Sequence, residues 1–229
     1  MADERHWHKE AEFQWDNRAD FWNQRSVEMW DNGSRKNITP FIEEHLQPES
    51  SIIDVGCGDG YGSFKLYQSG YHVTGVDISG EMIRLAKKRL HQEDIFFSQG
   101  DVIDLPIQDN GIDSVMAINV IEWTESPVDV LKEFDRVLTT NGILFAGILG
   151  PTAGPRMNSY SRLRGERTIC NTMMPWEFQQ LALEIGFDYA DGFGVFKNGV
   201  SEHHYRDLPL DLQQALSFMW VFMLRKVGK

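Results

Sequence analysis

Ile52-Ile53-Asp54-Val55-Gly56-Cys57-Gly58-Asp59-Gly60 decides the fold of this 229-residue chain. An apolar run enters an acidic residue and then three glycines at alternate positions. Further on, a second apolar run, Val73-Thr74-Gly75-Val76, ends in Asp77. Two such runs predict adjacent parallel strands with a nucleotide pocket at their carboxyl ends. Glycines there let the backbone approach a ligand, because they lack a Cβ and tolerate positive φ. Asp77 falls where an acidic side chain accepts hydrogen bonds from a ribose diol.

The spacing of the glycines narrows the nucleotide. In a dinucleotide fingerprint, G-x-G-x-x-G, the third glycine gives close helix–strand packing beside the pyrophosphate. Here that position holds Tyr61, and the pattern is D-x-G-x-G-x-G from Asp54 to Gly60. A bulky residue at the helix start argues against NAD and FAD. The stretch also lacks the Gly-Lys-Ser/Thr ending of a phosphate-binding P-loop. Cys57 sits inside the turn, where a small side chain fits, and reads as a packing residue rather than a nucleophile.

Outward from this turn the chain alternates strands and helices. Helical segments are expected at 36–46, 61–68 with Gly70 as a stop, 80–90 capped by Ser79, and 127–138 opened by Ser126-Pro127. Strands are expected at 51–55, 72–76, 95–98 and 112–118. After an Asn141-Gly142 turn comes a fifth at 143–149. This rhythm predicts a parallel, doubly wound sheet covered on both faces.

The stretch from Asp54 to Gly60 resembles the first motif of class I S-adenosylmethionine-dependent methyltransferases. Val73–Ser79, Gln99-Gly100-Asp101-Val102 and Ile112–Trp123 resemble that family's later motifs, in order. The resemblance covers 35–150 and is closest to the small-molecule branch that includes ubiquinone and menaquinone biosynthesis enzymes. It implies a Rossmann-like α/β fold: a mostly parallel seven-stranded sheet with a late antiparallel strand and helices on both faces. Candidates for the late hairpin are 187–196 and 217–224. It implies S-adenosyl-L-methionine as cofactor, S-adenosyl-L-homocysteine as product, and a small-molecule methyl acceptor attacking the sulfonium methyl in line.

By the same resemblance, Gly56, Gly58 and Gly60 line the turn that meets the methionine part. Asp54 either orders that turn or meets the ammonium group. Asp77 holds the ribose, Asp101 the adenine amino group, and Ile78 and Val102 pack near the ring. The carbonyl of Ile118 or Asn119 contacts the ammonium end, and Arg35 stands where some relatives carry a carboxylate-binding arginine. Candidates for a general base are His203 and His204, beside Tyr205; a surface loop is the competing reading, and no metal-ligand spacing accompanies them.

Composition agrees with one globular domain over 1–229. It divides into an aromatic N-terminal segment (1–34), a cofactor core (35–150), and a region of loop, helix and hairpin (151–229). Hydrophobic residues make up 41%, enough for a sizeable core. The net charge of −12 argues against a DNA-binding surface. By the resemblance, Asn119-Val120-Ile121-Glu122 in place of the Asn-Pro-Pro-Tyr-like motif of amino-methyltransferases also disfavours a DNA adenine or cytosine-N4 enzyme. Two cysteines make no disulfide framework, the start Met1–Arg5 lacks the apolar core of a leader, and no apolar run is long enough to span a bilayer. A cytoplasmic setting without integral membrane contact is expected. Oligomeric state is open.

Two segments remain outside the motifs. Trp7, Trp15, Trp22 and Trp30 recur at intervals of eight, seven and eight residues, so they share one helical face, which Phe13 and Phe21 are expected to widen. Such a helix is either a lid over the cofactor cleft or a permanently packed element. Gly150–Thr172 is long for a connection and holds Arg156, Arg162, Arg164 and Arg167. It reads as a substrate-facing cover or as a mobile basic loop. The alternatives in function are an RNA or protein methyltransferase using that basic segment as a groove, and a non-catalytic cofactor-binding homologue.

Overall fold

The computed structural model describes residues 4–228, with side chains from Trp7 onward. Met1–Asp3, part of the start on which the no-leader expectation rests, lie outside the described residues. The chain runs α1 (Glu4–Asp31), α2 (Ile38–His45), β1 (Ser51–Val55), α3 (Tyr61–Gln68), β2 (His72–Asp77), α4 (Gly80–Arg89), β3 (Phe96–Gln99) and β4 (Ile112–Ile118). It continues α5 (Pro127–Val137), β5 (Leu138–Leu149), α6 (Pro175–Ile185), β6 (Phe187–Val195), α7 (Leu210–Leu216) and β7 (Met219–Lys226).

The sheet is seven-stranded with order β3-β2-β1-β4-β5-β7-β6. Pairing is parallel from β3 through β5, and β7 runs antiparallel between β5 and β6. This is the expected Rossmann-like α/β arrangement with its late antiparallel strand. The order in which successive strands are added reverses between β1 and β4, and a crevice opens at the carboxyl ends of strands at such a switch point.

Alternation along the strands separates two cores. Ile53, Leu144, Ala146, Phe222 and Leu224 face the layer that holds Phe134 of α5 and Phe178 of α6. Ile52, Phe145, Val221 and Met223 face the other, with Trp30 of α1 and Ile38 and Ile42 of α2. Helices on both sides bury both faces, which is why these strands read as continuous apolar runs. Local signals hold as expected: the Ser79 hydroxyl accepts from the Met82 N–H at 3.1 Å and that of Ser126 from the Asp129 N–H at 3.3 Å.

Strand 5 starts earlier than its apolar run suggests. Leu138 pairs with Ile112 and Ile143 with Ser114, so the strand bulges between the two pairings. Asn141, at φ +64°, makes the turn within that excursion. Among the described residues no helix is long and apolar enough to cross a membrane.

The aromatic segment is one continuous helix lying over the carboxyl ends of the strands and against α3 and α4. Ala11, Ala19, Ser26 and Trp30 are its buried positions, so small residues bring it close and Trp30 anchors its end. A Cβ on Gly62 would fall 2.3 Å from Trp30 Cζ2; only glycine lets that ring sit on α3. Phe13 and Phe21 do not widen this face: they are 64% and 49% exposed. At 100° per residue, Phe13 lies some 200° around the helix from Trp15.

Candidate active site

A cavity of about 510 Å³ opens at the switch point, of the size that encloses a small ligand. Its floor comes from the ends of β1, β2, β4 and β5, and its roof from α1. Of the residues expected to bind cofactor, Arg35, Asp54, Gly56, Gly58, Asp77, Ile78, Asp101, Val102, Ile118 and Asn119 all line it. Gly60 does not. The helical roof contributes Trp7, His8, Trp15, Trp22 and Trp30.

The three glycines stand in the left-handed region for different reasons. A Cβ on Gly56 would fall 2.3 Å from Val120 Cγ2, and one on Gly60 would fall 2.9 Å from Phe97 Cζ. Those two serve packing. The nearest atom to a Cβ on Gly58 is Met82 Sδ at 3.9 Å, so this backbone is open toward the cavity. Asp77 ties the turn to the next strand: its Oδ2 accepts from the Gly58 N–H and its Oδ1 from the Ser79 N–H, both at 2.8 Å. Asp54 is buried and accepts from the Ser63 hydroxyl at 2.6 Å, which favours the turn-ordering role over direct ligand contact.

Burial raises the Asp54 pKa to about 7 and the Asp77 pKa to about 6. The sign follows. A carboxyl whose folded pKa exceeds its unfolded value stabilises the fold fully below the unfolded pKa, and that contribution is lost as pH rises through about 6–7. A cationic ligand favours the ionised carboxylates, so its affinity rises over the same window. Burial likewise pushes the Cys57 thiol well up, consistent with a packing role.

The roof is fastened by polar contacts along its length. The Trp7 indole N–H donates to the Trp123 carbonyl at 3.0 Å, and His8 pairs with Asp101. Asp16 accepts from the Ser79 hydroxyl at 2.6 Å and the Glu81 N–H at 3.1 Å, at the start of α4. Ser26 and Arg89 both donate to Asp59 Oδ2, at 2.5 and 2.7 Å. Asp31 accepts from the Tyr61 hydroxyl at 2.8 Å and the Lys65 ammonium at 2.9 Å. These partners are acids and hydroxyls scattered through the sequence, with no motif to announce them.

Gly154–Arg164 is a 3-10 helix. Arg156 turns inward and donates to the carbonyls of Gly150, Thr172 and Met173 at 2.8, 3.0 and 2.7 Å, and to that of Leu149. Arg164 pairs with Glu166 at 3.0 Å. Pro155 reaches the cavity. His203 and His204 lie elsewhere, exposed on a short 3-10 turn where both rings meet the Ser201 hydroxyl at 2.7 and 3.0 Å. Neither histidine lines the cavity. Among the described residues no cluster of His, Cys, Asp and Glu is arranged to hold a metal.

A fold of this order, with acids at the ends of β1 and β2 flanking a glycine turn, defines a nucleoside-binding α/β domain. The methyltransferase-domain family matches residues 53–146. The malonyl-[acyl-carrier protein] O-methyltransferase of Pectobacterium atrosepticum is 30% identical over 54% of this chain and 48% of its own length. A chain from the complex of the Haloferax volcanii Trm112 methyltransferase activator with a methyltransferase superposes with a TM-score of 0.70 at 18% identity, over 93% of this chain and 97% of that one. An S-adenosylmethionine-dependent methyltransferase from Methanosarcina mazei superposes at 0.64 and 20% identity, over 83% and 98%. Residues 53–146 thus match a methyltransferase domain, and the fold is shared with a methyltransferase whose cofactor is S-adenosylmethionine. The chain spans about half the length of the curated relatives it matches.

The residues present fit that cofactor. Gly58 leaves its backbone open to the cavity, and the Trp22 indole N–H, which lines it, is buried without a hydrogen-bond partner among the described residues. The carboxylates suit a cationic guest.

Proposed function

We propose that this chain transfers the methyl group of S-adenosylmethionine to a small-molecule acceptor enclosed beneath α1. When bound, S-adenosylmethionine supplies a methyl group already activated by its sulfonium. Asp77 would hold the ribose hydroxyls and Asp101 the adenine amino group, between Ile78 and Val102. The backbone of Gly56 and Gly58 and the carbonyl of Ile118 or Asn119 would meet the methionine part, with Arg35 near its carboxylate. The protein's remaining work is to orient the two reactants and exclude water.

The observation that carries the small-molecule reading is the roof. A cavity of about 510 Å³ roofed by Trp7, Trp15 and Trp22 suits a molecule of limited size. The reading as an RNA or protein methyltransferase asks for a basic groove over 156–167. There the guanidinium of Arg156 is committed to backbone carbonyls and that of Arg164 to Glu166. A screen for S-adenosylhomocysteine release with pooled metabolites tests the proposal. Release with a low-molecular-weight pool is expected. Release only with RNA or protein fractions would move the acceptor to the polymer class.

A further inference from the structure

The cavity has two halves of different chemistry. Asp54, Asp77 and Asp101 lie at the ends of β1 and β2 and just past β3. On the other side, beyond β4 and β5, Trp7, Trp15, Trp123 and Phe218 line the space. Trp15 and Trp123 meet edge to face with centroids 5.5 Å apart, and Trp7 is hydrogen-bonded to the Trp123 carbonyl. Trp15 and Phe218 pack on the buried cluster of Trp123 and Leu149.

The charge of the lining is lopsided. Six acidic side chains line the cavity, Asp54, Asp59, Asp77, Asp101, Glu125 and Asp129, against the guanidinium of Arg35 and the imidazole of His8. Outside the lining, Arg89 matches Asp59 and Lys132 matches Asp129. Exposed Glu125 remains at the rim on the aromatic side. Aromatic faces attract cations through their quadrupole, most strongly where water is excluded. A carboxylate-rich mouth draws cations and repels anions.

Building on the methyltransferase reading, we infer that the acceptor is an amine, held as an ammonium cation by the Trp7, Trp15, Trp123 and Phe218 rings with Glu125 at the entrance. The ammonium proton leaves to solvent at the rim before reaction. The neutral nitrogen's lone pair then forms the N–C bond as the C–S bond breaks, its electrons staying on sulfur. Positive charge moves from sulfur to nitrogen, and a tertiary amine yields a quaternary ammonium that the rings still hold.

The test is calorimetry on the full chain saturated with S-adenosylhomocysteine, titrated with benzyltrimethylammonium, benzyl alcohol and phenylacetate. Benzyltrimethylammonium is expected to bind about tenfold more tightly than either of the others, the ratio for a cation–π gain of roughly 1.4 kcal/mol. Trp15→Leu and, as a second variant on a half-buried ring, Trp7→Leu are each expected to erase most of that preference. Equal or tighter binding of phenylacetate or benzyl alcohol overturns the inference, as does no binding of any probe or an unchanged preference in both variants. The S-adenosylhomocysteine titration that precedes the probes reads the underlying assignment separately. If that ligand binds and the probes fail, only the acceptor class falls.

Discussion

Asp77→Ala is expected to weaken S-adenosylhomocysteine binding by about 1.5–3 kcal/mol, the range for a lost hydrogen bond to a charged group. The residue has two tasks. Its carboxylate accepts the Gly58 and Ser79 N–H groups, which sets the glycine turn against β2, and it faces the cavity, where a ribose would lie. Alanine removes both. Asp77→Asn keeps a carbonyl oxygen for one N–H and separates the turn from the charge. Calorimetry on both variants, with circular dichroism to confirm folding, checks this. An unchanged dissociation constant in folded Asp77→Ala would place the ribose contact elsewhere.

Deletion of 1–30 is expected to lower turnover by at least about 100-fold, the scale on which small misplacements of bound reactants act, while the sheet remains folded. The sheet starts at Ser51, well beyond the deletion. Yet α1 supplies the roof, and closure excludes water. Some stability is expected to go as well, because Trp30 is buried against Gly62. Amide exchange distinguishes a lid from a fixed helix. The end of α1, held by Ser26 on Asp59 and by Trp30, is expected to be protected throughout. Protection across Trp7 to Trp22 is expected to rise on adding S-adenosylhomocysteine. Equal, high protection over the whole helix in both samples would sink the lid while leaving the methyltransferase domain intact.

What the sequence carried clearly is local chemistry. The alternate glycines after β1, the acid at the end of β2, the capping serines 79 and 126 and the two runs of the late hairpin each act within a few residues of themselves. Their order along the chain therefore reproduces the sheet. The reasons behind some of those residues were not local. Gly60 looks like its neighbours Gly56 and Gly58, but it is glycine because Phe97 and Ala86 press against it from other elements. Tryptophan spacing located the roof. Its approach, however, depends on Ala11 and Ala19, and its fastening on Asp16, Asp31 and Asp59, which no periodicity marks.

The same distinction applies to the arginine-rich loop and to the paired histidines. A run of arginines reads as a surface, but Arg156 finds backbone carbonyls from both ends of its loop and becomes part of the frame. Adjacent histidines read as chemistry, but the turn that carries them lies outside the cavity, and only tertiary structure assigns that position.

The most direct test of the central claim is calorimetric titration of the full chain with S-adenosylmethionine, S-adenosylhomocysteine and NAD at pH 6 and pH 8. Both S-adenosyl ligands are expected to bind and NAD to give no heat. Affinity for the sulfonium cation is expected to be higher at pH 8, since Asp54 and Asp77, with pKa values near 7 and 6, are ionised there before the ligand arrives. Tight NAD binding with no response to S-adenosylhomocysteine at either pH would contradict the account.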